Sequence, residues 1–157
     1  MPSSEQPDVA ALVQRFIALM NRKTAGKSTM YMHESGLTFP QIIVLWALAE
    51  SDETISGLAA KLRMSMGATS QLVDKLVDAQ MVEREEDAND RRVRIVKLRA
   101  PGRKYLEQLG QIRRREIGEA LRSVPSDAKT RFARGLTEVV RALERDAAKD
   151  DSAPGED

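Results

Sequence analysis

Hydrophobic positions recur at steps of three and four along most of the chain, the period of amphipathic helices rather than strands. Val9, Leu12, Val13, Phe16, Ile17 and Met20 predict a first helix over residues 9–22. A polar, glycine-containing connector follows from Asn21 to Gly36, with Met30, Tyr31, Met32 and His33 inside it. Thr38 then reads as an N-cap, with Gln41 three residues on as its capping-box partner and Pro40 in the first turn. Residues 39–49 are apolar nearly all round, so the helix they form belongs in the middle of a core.

Thr54 or Ser56 caps a short helix ending at Leu62, with Leu58, Ala59 and Leu62 on its apolar face. Ser65 caps a longer helix reaching about Ala79. Its apolar face carries Ala68, Leu72, Val73, Leu76 and Val77, and its polar face Met66, Thr69, Ser70, Gln71, Asp74 and Lys75. Only Arg63 and Met64 separate the two helices. The period then drops to two: residues 82–85 and 93–98 read as strands, joined by the turn residues 87–90. Beyond Pro101 and Gly102, Tyr105, Leu106, Leu109, Ile112, Ile117 and Leu121 mark a further helix. Phe132, Leu136, Val139, Val140 and Leu143 mark the last one.

The predicted fold class is mainly α with a small β-hairpin wing. A winged helix-turn-helix lobe over residues 37–100 is flanked by an N-terminal helix and connector (9–36) and by C-terminal helices (101–147). A flexible start (1–8) and a disordered acidic tail (148–157) complete the expected organisation.

Charge alters the picture only when it is localised. The 25 Lys+Arg and 24 Asp+Glu leave a net charge of +1, which alone argues against nucleic acid. Residues 146–157, however, hold five acids and one base, while residues 91–104 hold seven bases and no acid. Phosphate responds to local rather than net charge. A long solvated basic face is the plainer reading of such a run.

Order and spacing favour DNA. The major groove admits one helix, and close approach requires short side chains at its start. Ser65, Gly67, Ala68 and Thr69 supply them. A helix N-terminus also offers free N–H groups and a positive dipole end to phosphate. A thin hairpin carrying Asp90, Arg91, Arg92 and Arg94 suits the adjacent minor groove. The structural alternative is that Arg94 pairs across the strands with Glu83 or Glu85.

Residues 54–98 resemble the winged-helix core of the MarR family of bacterial transcription regulators. The marks are Asp90 and Arg92 (D-x-R), the preceding Val82-Glu83-Arg84, and the run Leu72-Val73-Asp74-Lys75-Leu76. With its flanking helices the likeness extends over about residues 9–147. It implies a homodimer on a palindromic double-stranded operator, a repressor rather than an activator, working in the cytoplasm. It implies that Arg92 enters the minor groove and that Asp90 forms a salt bridge orienting an Arg of the wing. The expected DNA contacts are Ser65, Met66, Gly67, Ala68, Thr69, Ser70, Gln71, Lys75, Asp90, Arg91, Arg92 and Arg94, with Thr69, Ser70 and Gln71 foremost in the major groove. Gln71 stands where many relatives carry Arg, exchanging a guanine preference for an adenine one. Gln80 stands where many carry a helix-ending Gly, at a cost of about 1 kcal/mol if that site is left-handed.

Apolar stripes on the terminal helices predict a dimer interface: Leu12, Phe16 and Ile17, then Phe132, Leu136, Val139, Val140 and Leu143. A larger monomeric core is the alternative. Relatives often bind small aromatic or phenolic acids, for which Met30, Tyr31, Met32, His33 and Trp46 are the candidates here, although such clusters are more often core. No membrane, metal or cofactor is expected. With no Cys and one His, thiol oxidation and His-rich zinc sensing are excluded. No nucleophile–base–phosphate-loop arrangement points to an enzyme. The competing class is a winged protein-interaction module without DNA binding.

Overall fold

A computed structural model describes residues 8–24, 26–86 and 93–150, with the side chains of 147–150 left aside. Seven helices and three strands follow in order among them. They are α1 (Val9–Thr24), α2 (Lys27–Glu34), α3 (Phe39–Glu50), β1 (Glu53–Thr54), α4 (Ile55–Leu62), α5 (Met66–Asp78), β2 (Val82–Glu86), β3 (Arg94–Leu98), α6 (Ala100–Ala120) and α7 (Ser126–Asp150). The chain divides into two units after Ala120.

The core of the first unit gathers around α3, as its all-round apolar sequence requires. Ile42, Val44, Leu45 and Leu48 meet Leu58 of α4, Val73 and Leu76 of α5, Val82 of β2, Val96 and Leu98 of β3, and Tyr105 and Leu109 of α6. The start of α3 is fixed by Gln41, whose Oε1 accepts from the Thr38 N–H at 2.7 Å and the Thr38 hydroxyl at 2.8 Å. Thr54, rather than Ser56, caps α4: its Oγ1 accepts from the Gly57 N–H at 3.0 Å.

The sheet is antiparallel in the order β1-β3-β2. In the wing Val82 faces Leu98, Arg84 faces Val96 and Glu86 faces Arg94. The third strand, β1, was not expected from the sequence. It has two residues and exists through pairing of Glu53 with Val96 and Thr54 with Ile95, which no local pattern encodes.

The connector differs more. Within the connector, residues 27–34 form the helix α2. The cause is distant in sequence: the carboxylate of Glu116 on α6 accepts from the Ser28 Oγ at 2.6 Å and the Ser28 N–H at 3.2 Å. An anion at a helix start satisfies free N–H groups and opposes the positive dipole end. Farther along, Tyr31 stacks on Tyr105 with ring centroids 5.2 Å apart, and its hydroxyl donates to Gln108 Oε1 at 2.6 Å.

Both ends of the chain depart from the expected boundaries. Asp8, expected in a flexible start, instead caps α1, its Oδ1 accepting from the Ala11 N–H at 3.0 Å. At the other end α7 continues to Asp150, past the predicted limit at residue 147. The rest of the acidic tail lies outside the described residues. Leu136, Val139, Val140 and Leu143 of α7 are 42–63% exposed. On α1, Leu12 and Ile17 are exposed as well. Among the described residues no helix is long and apolar enough to cross a membrane.

Two turns bracket α5. Arg63 (φ +52°) ends α4 and Gln80 (φ +57°) follows α5, both in left-handed conformation. Each turn is closed by two backbone bonds, Met64 N to Ala59 O and Arg63 N to Ala60 O in the first, Met81 N to Leu76 O and Gln80 N to Val77 O in the second. This is the Schellman pattern, whose left-handed residue is usually Gly because a Cβ crowds the carbonyl. Gln80→Gly is therefore expected to raise stability by about 0.5–1 kcal/mol, the removed strain exceeding the added unfolded-chain entropy. Urea denaturation measures it, and a loss of stability refutes the strain.

Candidate nucleic-acid interface

The start of α5 is set by Ser65, whose Oγ accepts from the Ala68 N–H at 3.2 Å. Helix geometry then sorts the expected contacts. Ser65, Met66, Gly67, Gln71 and Lys75 are exposed, and Ala68 and Ser70 are half-buried. Thr69 is a correction: it is fully buried among the core residues. Its hydroxyl donates to the Ser65 carbonyl at 3.0 Å, so it cannot reach a base edge. That back-bond supplies the partner that lets a threonine lie inside. A Cβ added at Gly67 would meet nothing within 4 Å. The chain itself has no steric need for glycine there, and the space in front is free for a partner.

Gly67, Gln71 and Asp74 follow one another at steps of four and three, so they share the outer stripe of α5. The carboxylate Oδ1 of Asp74 receives Arg84 Nη1 of β2 at 2.7 Å. Two of the sequence marks, the aspartate of α5 and the arginine of the first wing strand, are thus one contact.

The basic run is less basic in space than in sequence. Lys97 pairs with Glu85 at 2.6 Å and approaches Asp52 at 4.0 Å, and Arg99 pairs with Glu83 at 3.5 Å. The hydrogen bond from Lys97 to Glu85, and then that carboxylate's charge, hold the ammonium above the usual lysine range. The cross-strand partners of Glu83 and Glu85 are therefore Arg99 and Lys97, and not Arg94. Arg94 is exposed, opposite Glu86. Arg103 and Lys104 at the start of α6 are also exposed. Asp90, Arg91 and Arg92 lie outside the described residues.

The expected effector residues do not converge. Tyr31 is held by its stack on Tyr105 and its bond to Gln108, and burial, with Tyr105 second, raises its pKa. Met30 and His33 are exposed on α2. Trp46 lies on α3, edge-on to Phe39 at 6.3 Å. A cleft of about 240 Å³ opens elsewhere on α2, lined by Asn21, Thr24, Ser28, Thr29, Met32 and Arg113. Of the sequence candidates it includes Met32 alone. The four-residue steps from Thr24 to Ser28 to Met32 were visible in the sequence, but the long-range partner Arg113 carried no signal. Among the described residues no group of three His, Asp or Glu is placed to hold a metal.

Residues 35–93, from just after α2 to just before β3, match the family model described as the MarR family. The chain is 23% identical over 145 residues to the uncharacterized HTH-type transcriptional regulator YsmB of Bacillus subtilis, covering 92% of this chain and 97% of that protein. Its fold is similar to that of the transcriptional regulator Tm0710 of Thermotoga maritima, with a TM-score of 0.74 and 16% identity, over 88% of this chain and 96% of that one. Wild-type MarR of E. coli in its apo form is 26% identical, with a TM-score of 0.60, over 80% and 95% of the two chains. The winged lobe, the exposed outer face of α5 and these likenesses agree: residues 35–93 are similar to the MarR family, and the fold is similar to that of winged helix-turn-helix regulators.

Proposed function

We propose that the chain binds a palindromic operator as a homodimer and acts as a cytoplasmic repressor that a small aromatic or phenolic ligand releases. The observation that carries the reading is the outer face of α5. It presents a Ser-capped helix start, the exposed Met66, Gly67 and Gln71, and Lys75, with the exposed Arg94 on the neighbouring ribbon. A helix of this kind approaches base edges closely while cations hold phosphates. Exposed apolar residues on α1, and separately on α7, support a second copy as their cover. Twofold symmetry then places two copies of α5 about 34 Å apart, one helical turn of DNA. The cleft beside α2 supports an effector of matching chemistry: Arg113 for a carboxylate, hydroxyls and an amide for polar groups, and Met32 for a ring.

Selection of bound duplexes from a random pool, followed by titration against salt, tests the reading. A twofold-symmetric consensus and a steep fall of affinity with salt are the expected results. A flat salt response on every duplex favours the interaction module, for which the net charge of +1 speaks. Within this reading Arg92→Ala weakens binding to the selected duplex by about tenfold or more, as loss of a minor-groove contact requires, and leaves dimerisation unchanged. Unchanged affinity in a gel-shift titration at fixed salt removes the wing from the contact surface.

A further inference from the structure

Arg84 occupies the inner face of β2. Val82, two residues before it, is buried in the core, and Glu85 and Glu86 beyond it are exposed. Its bond to Asp74 at 2.7 Å therefore ties the third turn of α5 to the middle of the ribbon, past the last buried residue of that strand. The other ion pairs of the ribbon, Glu83 with Arg99 and Glu85 with Lys97, use alternate positions and so lie on its opposite face. They stitch β2 to its neighbour and do not reach α5.

Two features make this pair unusual. Asp74 lies on the outer stripe of α5 with Gly67 and Gln71, where a bare carboxylate would repel phosphate. Its side chain is 53% exposed, so its charge is not hidden by burial. Arg84 contributes the second feature. Its Nε and Nη2 are buried and have no hydrogen-bond partner among the described residues. Leaving guanidinium N–H groups dry and unbonded is unfavourable, and an apolar side chain would fill the same space without that penalty. What an apolar contact lacks is direction. A charge-assisted bond fixes both distance and angle between the two elements.

We propose that Asp74 and Arg84 form a pin that sets the angle of the β2–β3 ribbon against α5. Asp74 is then a positioning residue for sequence-specific DNA binding, although it sits on the contact face with the wrong sign to touch phosphate. The inference rests on the reading of α5 and the ribbon as two contact elements on one duplex. Contacts in two grooves add only when their spacing matches the DNA, so a loosened ribbon sacrifices selectivity before it sacrifices general attraction.

The test uses the full chain, the duplex selected from a random pool by the wild type, and an unselected duplex of equal length. Asp74→Asn keeps shape and removes the charge. It is expected to lose about tenfold in affinity for the selected duplex, while affinity for the unselected duplex is unchanged or higher because an acid has left the contact face. Arg84→Met breaks the pin from the buried side and is expected to lose selectivity likewise, with the two chains matched by thermal melting. Asp74→Glu, which restores the carboxylate, is expected to recover to within about threefold of the wild type. Wild-type affinity of Asp74→Asn for the selected duplex overturns the pin alone. So does an equal fall on both duplexes, which is a general loss of structure, and so does a glutamate that recovers nothing. A wild type that binds no duplex overturns the DNA-binding reading, and the pin falls with it.

Discussion

Gly102→Ala is expected to destabilise the chain by about 3 kcal/mol, the upper range for an added methyl in a tightly packed site. The sign is the informative part. Gly102 is the third residue of α6, and in an open helix Ala would be favoured over Gly by about 1 kcal/mol. Here the added Cβ would lie 2.5 Å from the Met81 carbonyl oxygen and 2.7 Å from Leu98 Cδ1. The leucine tip can rotate, but the carbonyl is backbone. It also accepts the Arg99 N–H at 3.0 Å, so moving it strains the bond by which the end of β3 is tied to the start of β2. Either α6 retreats from the sheet or this bond opens. Urea denaturation at one fixed protein concentration measures the effect, since association would add its own contribution. A stability equal to or above that of the wild type shows that α6 slides freely and that the contact does not constrain it.

Glu116→Ala is expected to cost about 3 kcal/mol, the loss of hydrogen bonds to a charged acceptor together with the orphaning of their donors. The residue is 7% exposed. Burial raises its pKa. The Ser28 hydroxyl, the N–H groups of Ser28 and Lys27, and the nearby Arg113 outweigh burial, and the carboxyl is held below its ordinary range. A carboxyl lowered on folding stabilises the chain fully above its unfolded pKa, and the gain disappears as pH falls through the lower folded value. The wild type should thus lose more stability than Glu116→Gln between about pH 6 and pH 3, because the amide has no charge to lose. Denaturation curves at the two pH values give the difference. Parallel losses in both chains remove Glu116 as the anchor of α2.

The elements built from local periodicity were readable in the sequence. The all-apolar face of α3, the Ser65 cap and the alternating wing strands are each fixed by residues within a few positions of one another. What escaped detection depends on partners far along the chain. The helix α2 is anchored by Glu116, 88 positions from Ser28. The strand β1 has two residues and needs the ladder offered by β3. A polar Thr69 reads as outward-facing, yet a hydroxyl bonded to its own helix can be buried at little cost. Summing charge along residues 91–104 missed Glu83, Glu85 and Asp52, which the fold brings against Lys97 and Arg99. Aromatic and sulfur side chains are the sequence signals for a ligand pocket, whereas the cleft beside α2 is lined mainly by small polar residues and an arginine from another helix.

The left-handed turns on either side of α5 bear on how the outer face of that helix can change. Arg63 and Gln80 each hold a conformation that glycine adopts without strain. Neither is on the outer stripe of α5. Glycine at both positions would add about 1–2 kcal/mol of stability without altering a contact residue. That margin is comparable to the loss a typical single substitution causes. A chain stabilised first at its turns could then accept costlier side chains at Gln71 and its neighbours, so the capacity of this face to change lies partly in two residues outside it.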